Sequence, residues 1–136
     1  MKYSNQRFRV HTFETCKAYL SSFKGTNNLF LAIYQGAEYI GTMTAYVSQV
    51  HKTADMGLLI GATWQGKGLG ADAWATLMGY LFQTGARKVT GGTLRCNSAM
   101  VRIMLSSGMS PDGVRVAQEL VDGKPEDVLH FAKFSS

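Results

Sequence analysis

The sequence predicts a mixed α/β protein built as one layered domain. Segments with helical apolar spacing alternate along the chain with short apolar segments that are typical of strands. The length of 136 residues suits one domain, and no linker, repeat or low-complexity segment divides it. The apolar share of 46% is ordinary for a globular protein, so the chain is expected to bury a core without a metal or a disulfide.

The first half of the chain predicts one helix followed by three strands. Apolar residues at helical spacing predict a helix over residues 12–23, with Thr12 as its N-cap and Gly25 as its stop. Short apolar segments bounded by polar or glycine-containing turns predict the strands, at residues 28–34, 39–47 and 54–60.

The second half predicts a helix, a strand, another helix and a hairpin. Apolar residues between positions 73 and 82 recur at three- and four-residue steps, and Gly85 would cap that helix at its C terminus. A strand is predicted over residues 88–94, and a second helix from Asn97 or Ser98 to a stop at Gly108. The hairpin is predicted from strands 114–121 and 127–134 around a turn at residues 122–123.

The charge pattern and the apolar pattern exclude several kinds of partner. The formal net charge is +5, but Lys and Arg are scattered, so a basic solvated surface is favoured over a nucleic-acid-binding domain. No apolar segment approaches the ~20 residues of a membrane span, and the first residues lack the hydrophobic run of a signal peptide. Cys16 and Cys96 form no disulfide framework. We therefore expect a cytoplasmic protein with no nucleic-acid or membrane partner and no bound metal.

A loop with four glycines, residues 61–70 (GATWQGKGLG), lies between the third predicted strand and a predicted helix. The unpaired N–H groups that begin a helix, together with the positive end of its dipole, bind phosphate. Glycine lets the main chain approach such a ligand closely. Gly66, Gly68 and Gly70 are more glycines than a tight turn needs, so a phosphate-containing ligand is favoured over a plain turn.

Three phosphate-binding loops compete for this segment. A dinucleotide loop requires GxGxxG, and the glycines here are one residue too close. A nucleoside-triphosphate loop requires GxxxxGK before Ser or Thr; residues 61–67 fit, but Gly68 replaces the hydroxyl residue that would hold magnesium. The pattern Q/R-x-x-G-x-G/A, which binds the pyrophosphate of coenzyme A, is matched in full by residues 65–70.

Four blocks in order resemble the GNAT superfamily of N-acetyltransferases, and within it the branch that acetylates ribosomal-protein N-termini and amino sugars. Residues 54–57 (ADMG) resemble its AEIG strand, residues 64–70 (WQGKGLG) its WGKGxG loop, and residues 97–109 (NSAMVRIMLSSGM) its helix NxxAxxxYxxxGF. Residues 113–115 and 123–129 resemble its closing hairpin. The resemblance implies a mostly antiparallel central sheet flanked by helices, acetyl-coenzyme A (acetyl-CoA) as cofactor, and acetyl transfer to a primary amine.

The resemblance also implies a set of cofactor-binding residues. Amides near residues 58–60 would pair with the pantetheine arm and polarise the thioester carbonyl. Asn97 would hydrogen-bond that arm or only cap its helix, and Lys67 would face the 3′-phosphate or only water. The implied set is Leu58, Leu59, Ile60, Gln65, Gly66, Lys67, Gly68, Leu69, Gly70, Ala71, Asn97 and Met104.

Asp55 is the predicted catalytic base, because it occupies the place of the family's glutamate on the strand before the loop. An alkyl ammonium with a pKa near ~10.4 must lose a proton before it attacks a thioester. Asp is one carbon shorter than Glu, so we expect it to act through a water molecule. The alternative is a solvent-exposed or salt-bridged carboxylate. His11, His51 and His130 show no partner pattern and are predicted to be structural.

The sequence departs from the family pattern in two places. Met104 stands where many members carry a tyrosine that protonates the departing thiolate. The N-terminal region is short, with the opening strand reduced to about residues 7–10 and one helix in place of two. We therefore expect an acceptor site that is open or completed by a second subunit in a homodimer. The acceptor stays open between a small amine, an amino sugar and a peptide N-terminus, and a non-catalytic module that binds coenzyme A or acyl-coenzyme A is the alternative function.

Overall fold

The computed structural model describes residues 7–11, 16–22 and 28–136, with side chains from residue 28 onward. A 3₁₀ turn over Ala62–Trp64 lies in the first half of the glycine loop. The elements are β1 (Arg7–His11), β2 (Cys16–Ser22), β3 (Leu29–Gln35), β4 (Glu38–Ser48), β5 (Thr53–Ile60), α1 (Leu69–Gln83), β6 (Lys88–Leu94), α2 (Ser98–Ser106), β7 (Ser110–Val121) and β8 (Lys124–Phe134).

The described strands form one eight-stranded sheet in the order β1-β2-β3-β4-β5-β6-β8-β7. Among them, only β5 and β6 pair in parallel. These two strands are joined through α1, and a crossover of this kind is what a parallel pair requires. The mixed α/β architecture with a mostly antiparallel sheet, expected from the sequence, is therefore confirmed.

Helices α1 and α2 pack on one face of the sheet, against a core centred on Trp74, whose side chain is fully buried. A Cβ at Gly91 of β6 would lie 2.8 Å from the Trp74 ring and 3.1 Å from Cε of Met104. Gly91 therefore lets both helices approach β6 closely. The opposite face carries no helix among the described residues, and neither described helix has the length and apolar character of a membrane span.

Short sequence patterns predicted the caps of α1 and α2 and the turn of the closing hairpin, and the structure has these features. Asn97 is the N-cap of α2, and its side chain accepts a 3.1 Å hydrogen bond from the Met100 amide. Gly85 follows the C-terminal end of α1 with a φ of 115°, which suits glycine. The hairpin turn at Asp122 and Gly123 has positive φ at both residues, as a two-residue turn of type I′ requires. Strands β7 and β8 begin earlier than predicted, at Ser110 and Lys124.

The helix predicted over residues 12–23 is wrong in the part that the structure describes. Residues 16–22 form β2, which pairs with both β1 and β3. In this segment the apolar residues Cys16, Ala18 and Leu20 alternate with more polar ones, so a period of two fits as well as a helical period. Because residues 16–22 pair with a neighbouring strand on each edge, the segment forms a strand and not a helix. The predicted cap Thr12 and stop Gly25 lie outside the described residues, and the short opening strand is present as β1.

Candidate active site at the opening between β5 and β6

The candidate site lies where the two parallel strands separate. Pairing between β5 and β6 ends at Met56 and Gly91. Beyond that point β5 stays paired with β4 as far as Ile60, and β6 stays paired with β8 as far as Leu94. Residues 57–60 of β5 therefore have one edge that β6 does not cover.

Main-chain groups of β5 point into this opening. The Thr90 hydroxyl lies 3.5 Å from the carbonyl oxygen of Ala54, and Nε2 of Gln65 donates a 3.1 Å hydrogen bond to the carbonyl oxygen of Ile60. Alternate residues of a strand direct their main-chain groups to the same edge. The amide of Leu58, between Ala54 and Ile60 in this series, therefore faces the opening at the place where the resemblance implied a thioester contact.

A cleft of about 540 Å³ occupies the opening on the helical face. It runs from the end of β5 across the glycine loop to α2 and has a mostly apolar lining with a few polar groups, which is the usual character of a small-molecule site. A cleft of about 620 Å³ at the other end of the molecule, near the β4–β5 turn, is lined instead by the C-terminal end of α1, and no described helix begins beside it. The predicted residues that line the first cleft are Leu58, Leu59, Ile60, Gln65, Gly66, Gly68, Gly70, Ala71 and Asn97.

The glycine loop leaves the N-terminus of α1 open to an anion. Gly66 and Gly68 have φ values of 78° and 79°, a left-handed conformation that favours glycine. Gly68 is the N-cap and offers no side chain, and the first helical bond runs from the Asp72 amide to the Gly68 carbonyl. The amides of residues 69–71 precede that bond, so no carbonyl of the helix can pair with them. Three adjacent unpaired amides at the positive end of a helix dipole are an arrangement that favours an anion.

Gly70 has a different role from the two glycines before it. A Cβ at Gly70 would lie 3.3 Å from Cδ1 of Ile103 and 3.4 Å from Cδ2 of Leu58. The missing side chain therefore brings α1 close to both α2 and β5. Gly66 and Gly68 allow the left-handed main-chain conformation of the loop. Gly70 allows the close packing of α1 against α2 and β5 that forms the wall of the cleft.

The wall supplied by α2 was not predicted from the sequence. Asn97 marks its start, but the cleft is also lined by Ala99, Arg102, Ile103 and Ser106 at three- and four-residue steps. A helical projection from Asn97 would have indicated that face. Trp64 and Met100 complete the lining that the sequence analysis missed.

Three predicted site residues do not line the cleft. Leu69 and Met104 are buried in the core, at 7% and 1% exposure. Lys67 is exposed, and its Nζ lies 5.8 Å from the centre of the Trp64 ring. Among the described residues that line the cleft, the charged one is Arg102, and Lys67 lies at the edge of the cleft.

Asp55 lies on the opposite face of the sheet from the cleft. Its neighbours Ala54 and Met56 are buried beneath the helices, whereas Asp55 is exposed. Its Oδ1 accepts a 2.6 Å hydrogen bond from the Thr90 hydroxyl. Asp55 precedes the point of strand separation, so its carboxylate lies beside the opening on the side away from the cleft.

Comparison with protein families identifies the family to which this chain belongs. Residues 1–110 match the model of a family described as the acetyltransferase (GNAT) domain. The chain belongs to the GNAT acetyltransferase family. The resemblance inferred from four sequence blocks is thereby confirmed. A comparison with functionally curated proteins gives no match.

Solved GNAT structures show the same fold. A ribosomal L7/L12 alpha-N-protein acetyltransferase in its apo form superposes with a TM-score of 0.83 at 13% identity, covering 95% of this chain and 95% of that one. A chimera of the Vibrio cholerae spermidine N-acetyltransferase has a TM-score of 0.76 at 18% identity, covering 81% of this chain and 68% of that one.

A further relative was solved with its ligands. The microcin C7 self-immunity acetyltransferase, in complex with acetyl-CoA and AMP, has a TM-score of 0.72 at 24% identity and covers 79% of this chain. The present chain spans 61% of the length of that protein, and 63% of the length of a probable acetyltransferase of the same fold.

Proposed function

We propose that this protein is an acetyl-CoA-dependent N-acetyltransferase that moves an acetyl group to a primary amine. The observation that carries the proposal is the opening between β5 and β6 beside the uncapped N-terminus of α1. An exposed strand edge and an anion-binding helix terminus stand next to each other there. A molecule with both an amide-rich arm and a pyrophosphate, such as acetyl-CoA, suits that combination.

The residues present fit acetyl-CoA. The amides of residues 69–71 would hold the pyrophosphate, and the free edge of residues 58–60 would pair with the arm. Lys67 and Arg102 add positive charge at the rim and wall of the cleft, which favours a ligand with several phosphates. Bound acetyl-CoA supplies the activated acyl group. The Leu58 amide, which faces the opening, would then stabilise the developing oxyanion, a contribution of ~3–4 kcal/mol for a well-placed donor.

Asp55 is the proposed base. It stands across the sheet from the cofactor cleft, so an acceptor amine would approach from the face without helices while acetyl-CoA lies on the other. The exposed carboxylate can accept a proton from the incoming ammonium directly or through water. The acceptor can be a small amine, an amino sugar or a protein N-terminus.

A non-catalytic module that binds coenzyme A or acyl-coenzyme A is the second candidate, and one observation favours it. Among the described residues that line the cleft there is no carboxylate, histidine, cysteine or tyrosine. A carboxylate or histidine base would therefore have to lie outside the cleft, as Asp55 does.

Two experiments separate these candidates. Acetyl-CoA should raise the melting temperature of the protein, and ATP with magnesium should not. Thiol release should then follow the addition of at least one amine from a panel of polyamines, amino sugars and peptides with free N-termini. Stabilisation without thiol release would support the binding module, and no stabilisation would contradict both candidates.

We further propose that the whole chain is one domain and that it pairs as a homodimer. The dimer is supported by β7, which lies at the edge of the sheet and exposes Val114, Val116 and Leu120 at 50%, 77% and 72%. Exposed apolar edge strands are prone to pairing with another chain. Light scattering on the protein and on a Val116→Lys variant tests this; a monomeric parent protein would contradict it.

A further inference from the structure

Three cross-strand pairs of β4 and β5 lie beside the opening, on the face without a described helix. The register pairs Tyr46 with Asp55, Thr44 with Gly57 and Thr42 with Leu59. Their apolar neighbours in sequence pack into the core beneath the helices. Because side chains alternate between the two faces of a strand, the three pairs share the face of Asp55.

The middle pair forms a depression between two larger pairs. Gly57 has no side chain, and a Cβ there would lie 2.8 Å from Oγ1 of Thr44, so another residue at this position would fill the space. Asp55 and Leu59 each lie two residues from Gly57, roughly 7 Å along β5 in opposite directions. The depression over Gly57 and Thr44 is therefore bounded by a charged side at Asp55 and an apolar side at Leu59.

The depression adjoins the place proposed for the thioester. Pairing of β5 with β6 ends at Met56, so Gly57 is the first residue of β5 beyond the point of separation. The amide of the next residue, Leu58, faces the opening. An amine over Gly57 would therefore lie next to an acyl group held at that amide, with Asp55 close enough to take its proton through a water molecule.

Tyr46 extends the charged side of the depression. Directly opposite residues of an antiparallel pair have Cβ atoms about 4.5–5.5 Å apart, so the ring begins next to the Asp55 carboxylate. The Tyr46 side chain is 53% exposed, which leaves its ring accessible to a ligand. A cation is attracted to an aromatic ring within about 6 Å of its centre. An ammonium drawn to Asp55 is therefore in reach of the Tyr46 ring.

Leu59 forms the apolar side. It is 72% exposed, whereas its neighbours Leu58 and Ile60 pack against the core. The arm of an acceptor whose nitrogen lies over Gly57 would cover Leu59. An apolar arm gains from that contact, because apolar surface is removed from water on both partners.

The charge near the depression suits a single ammonium. Strands β3 to β6 carry two acidic residues, Asp55 and Glu38. Glu38 begins β4 beside the β3–β4 turn, eight residues from Tyr46 and roughly 26 Å along the strand. Lys88, the basic residue of these strands, is paired with Asp112 at 3.0 Å. Asp55 is thus the one uncompensated charge beside the depression on these four strands.

On the basis of the proposed acetyl transfer, we propose that Tyr46 determines acceptor specificity and that the acceptor is a primary amine with one positive charge and an apolar arm. The further ammonium groups of a polyamine would find no carboxylate on these strands. The hydroxyl groups of an amino sugar would lose hydrogen bonds to water against Leu59. A free arylalkyl amine and a peptide N-terminus with an apolar first residue share the required chemistry.

A panel of acceptors tests the class. Thiol release is measured with 2-phenylethylamine, a peptide beginning with phenylalanine, spermidine and glucosamine, and a peptide beginning with glycine is the control for the arm. The first two should have a kcat/KM about tenfold higher than the others, because burying a few CH₂ groups contributes that much. Activity with either supports the proposal, and the faster one identifies the source. Spermidine or glucosamine as the best acceptor would overturn the proposal and leave acetyl transfer intact. Binding of acetyl-CoA without thiol release with any amine would instead refute the proposed function.

Two variants of Tyr46 test the ring. Tyr46→Ser should raise the KM for the best apolar amine about tenfold, the scale of a cation–π contact, with little change in kcat. The affinity for acetyl-CoA should not change, because Tyr46 lies across the sheet from the cleft. Tyr46→Phe keeps the ring and should keep the parent KM. Tyr39→Ser, a similarly exposed tyrosine near the β3–β4 turn, is the matched control. An unchanged KM in Tyr46→Ser, or equal losses in the serine and phenylalanine variants, would overturn the proposal.

Leu59→Ser tests the apolar side of the depression. It should reduce the preference for the phenylalanine peptide over the glycine peptide, because the apolar contact is lost. The ratio of the two kcat/KM values does not depend on cofactor affinity. Leu105→Ser changes an exposed leucine of α2, on the other face, and should keep the preference. An unchanged preference in Leu59→Ser would contradict the placement of the arm.

Discussion

The Thr90 hydroxyl donates a 2.6 Å hydrogen bond to Oδ1 of Asp55, joining β5 to β6 one residue before the two strands separate. This bond holds the carboxylate beside the opening, on the face opposite α1 and α2. Side chains that stand on an exposed strand otherwise sample several rotamers. Thr90 therefore orients the proposed base toward the place where an acceptor amine would enter.

Replacing Thr90 with valine should lower turnover about tenfold, because a charge-assisted hydrogen bond contributes ~1.5–3 kcal/mol and its loss frees the carboxylate. The affinity for acetyl-CoA should not change, since the cofactor cleft lies on the other face. Steady-state thiol release and calorimetric binding check both expectations. Thr76→Val is the control, because that hydroxyl bonds only to the carbonyl of Asp72 in its own helix. Equal effects in the two variants would contradict a special role for Thr90.

Asp55→Asn should keep acetyl-CoA affinity and lower turnover by ~10²–10⁴-fold, the usual cost of removing a general base. The loss should grow as the pH falls further below the pKa of the amine, because fewer acceptor molecules are then deprotonated in solution. A pH–rate profile with one good acceptor tests this. Asp122→Asn, in the turn between β7 and β8, controls for the change of charge. A full-rate Asp55→Asn protein at pH 7 would leave Asp55 as a structural carboxylate.

The glycine loop before α1 could be recognised from the sequence because that information is local. Three alternating glycines before an amphipathic helix permit few main-chain conformations, and Gly66 and Gly68 have the positive φ values that such a loop requires. The Asn97 cap is equally local, since its side chain bonds to an amide three residues away.

What the sequence did not predict depends on contacts between distant residues. Cys16–Ser22 fits a helix or a strand by pattern, and only pairing with β1 and β3 decides between them. Arg102 enters the cleft because α2 packs beside α1.

Gly68→Val should abolish stabilisation by acetyl-CoA and leave the fold intact. The structure changes the physical reason expected from the sequence: a Cβ at Gly68 meets nothing within 4 Å, so the cost comes from the φ of 79° rather than from a clash inside the protein. A β-branched residue avoids that conformation, and the loop would rearrange away from the amides of residues 69–71. Thermal shift with acetyl-CoA is the measurement.

Gly36→Val is the matched control for this loop variant. Gly36 has a φ of 61° and equally open surroundings, but it lies in the turn between β3 and β4. It should show the same strain and a normal response to acetyl-CoA. Normal affinity in a folded Gly68→Val protein would contradict the assignment of the cleft.

Asp127 predicts a pH effect on stability. The amide of Ala117 donates a 2.9 Å hydrogen bond to its carboxylate, Arg95 forms an ion pair with it, and both lower the pKa of Asp127 below 3.8. Because the folded pKa is the lower one, this stabilisation is present at neutral pH and is lost as the pH falls through the folded value. The difference in melting temperature between the parent and Asp127→Asn should therefore be constant above about pH 5 and shrink below pH ~3.9. Glu126→Gln is the neighbouring control, and a difference that grows in acid would refute this sign.

Met104→Tyr tests whether the missing phenol matters. Met104 is 1% exposed and packs beside Trp74 over Gly91, so a larger, stiffer side chain should cost ~1–3 kcal/mol of stability through overpacking. It should change turnover less than tenfold, because an ordinary thiol has a pKa near ~8.5 and its thiolate is already a fair leaving group at neutral pH. Met104→Leu conserves the side-chain volume and should lower the stability by less than ~1.5 kcal/mol. Comparing the two variants distinguishes an effect of packing from an effect of the phenol on the reaction. Melting curves and thiol release between pH 6 and 9 give both quantities. A parent protein inert toward every amine and rescued by tyrosine at this position would show that the missing acid is decisive and would favour the binding module over the enzyme.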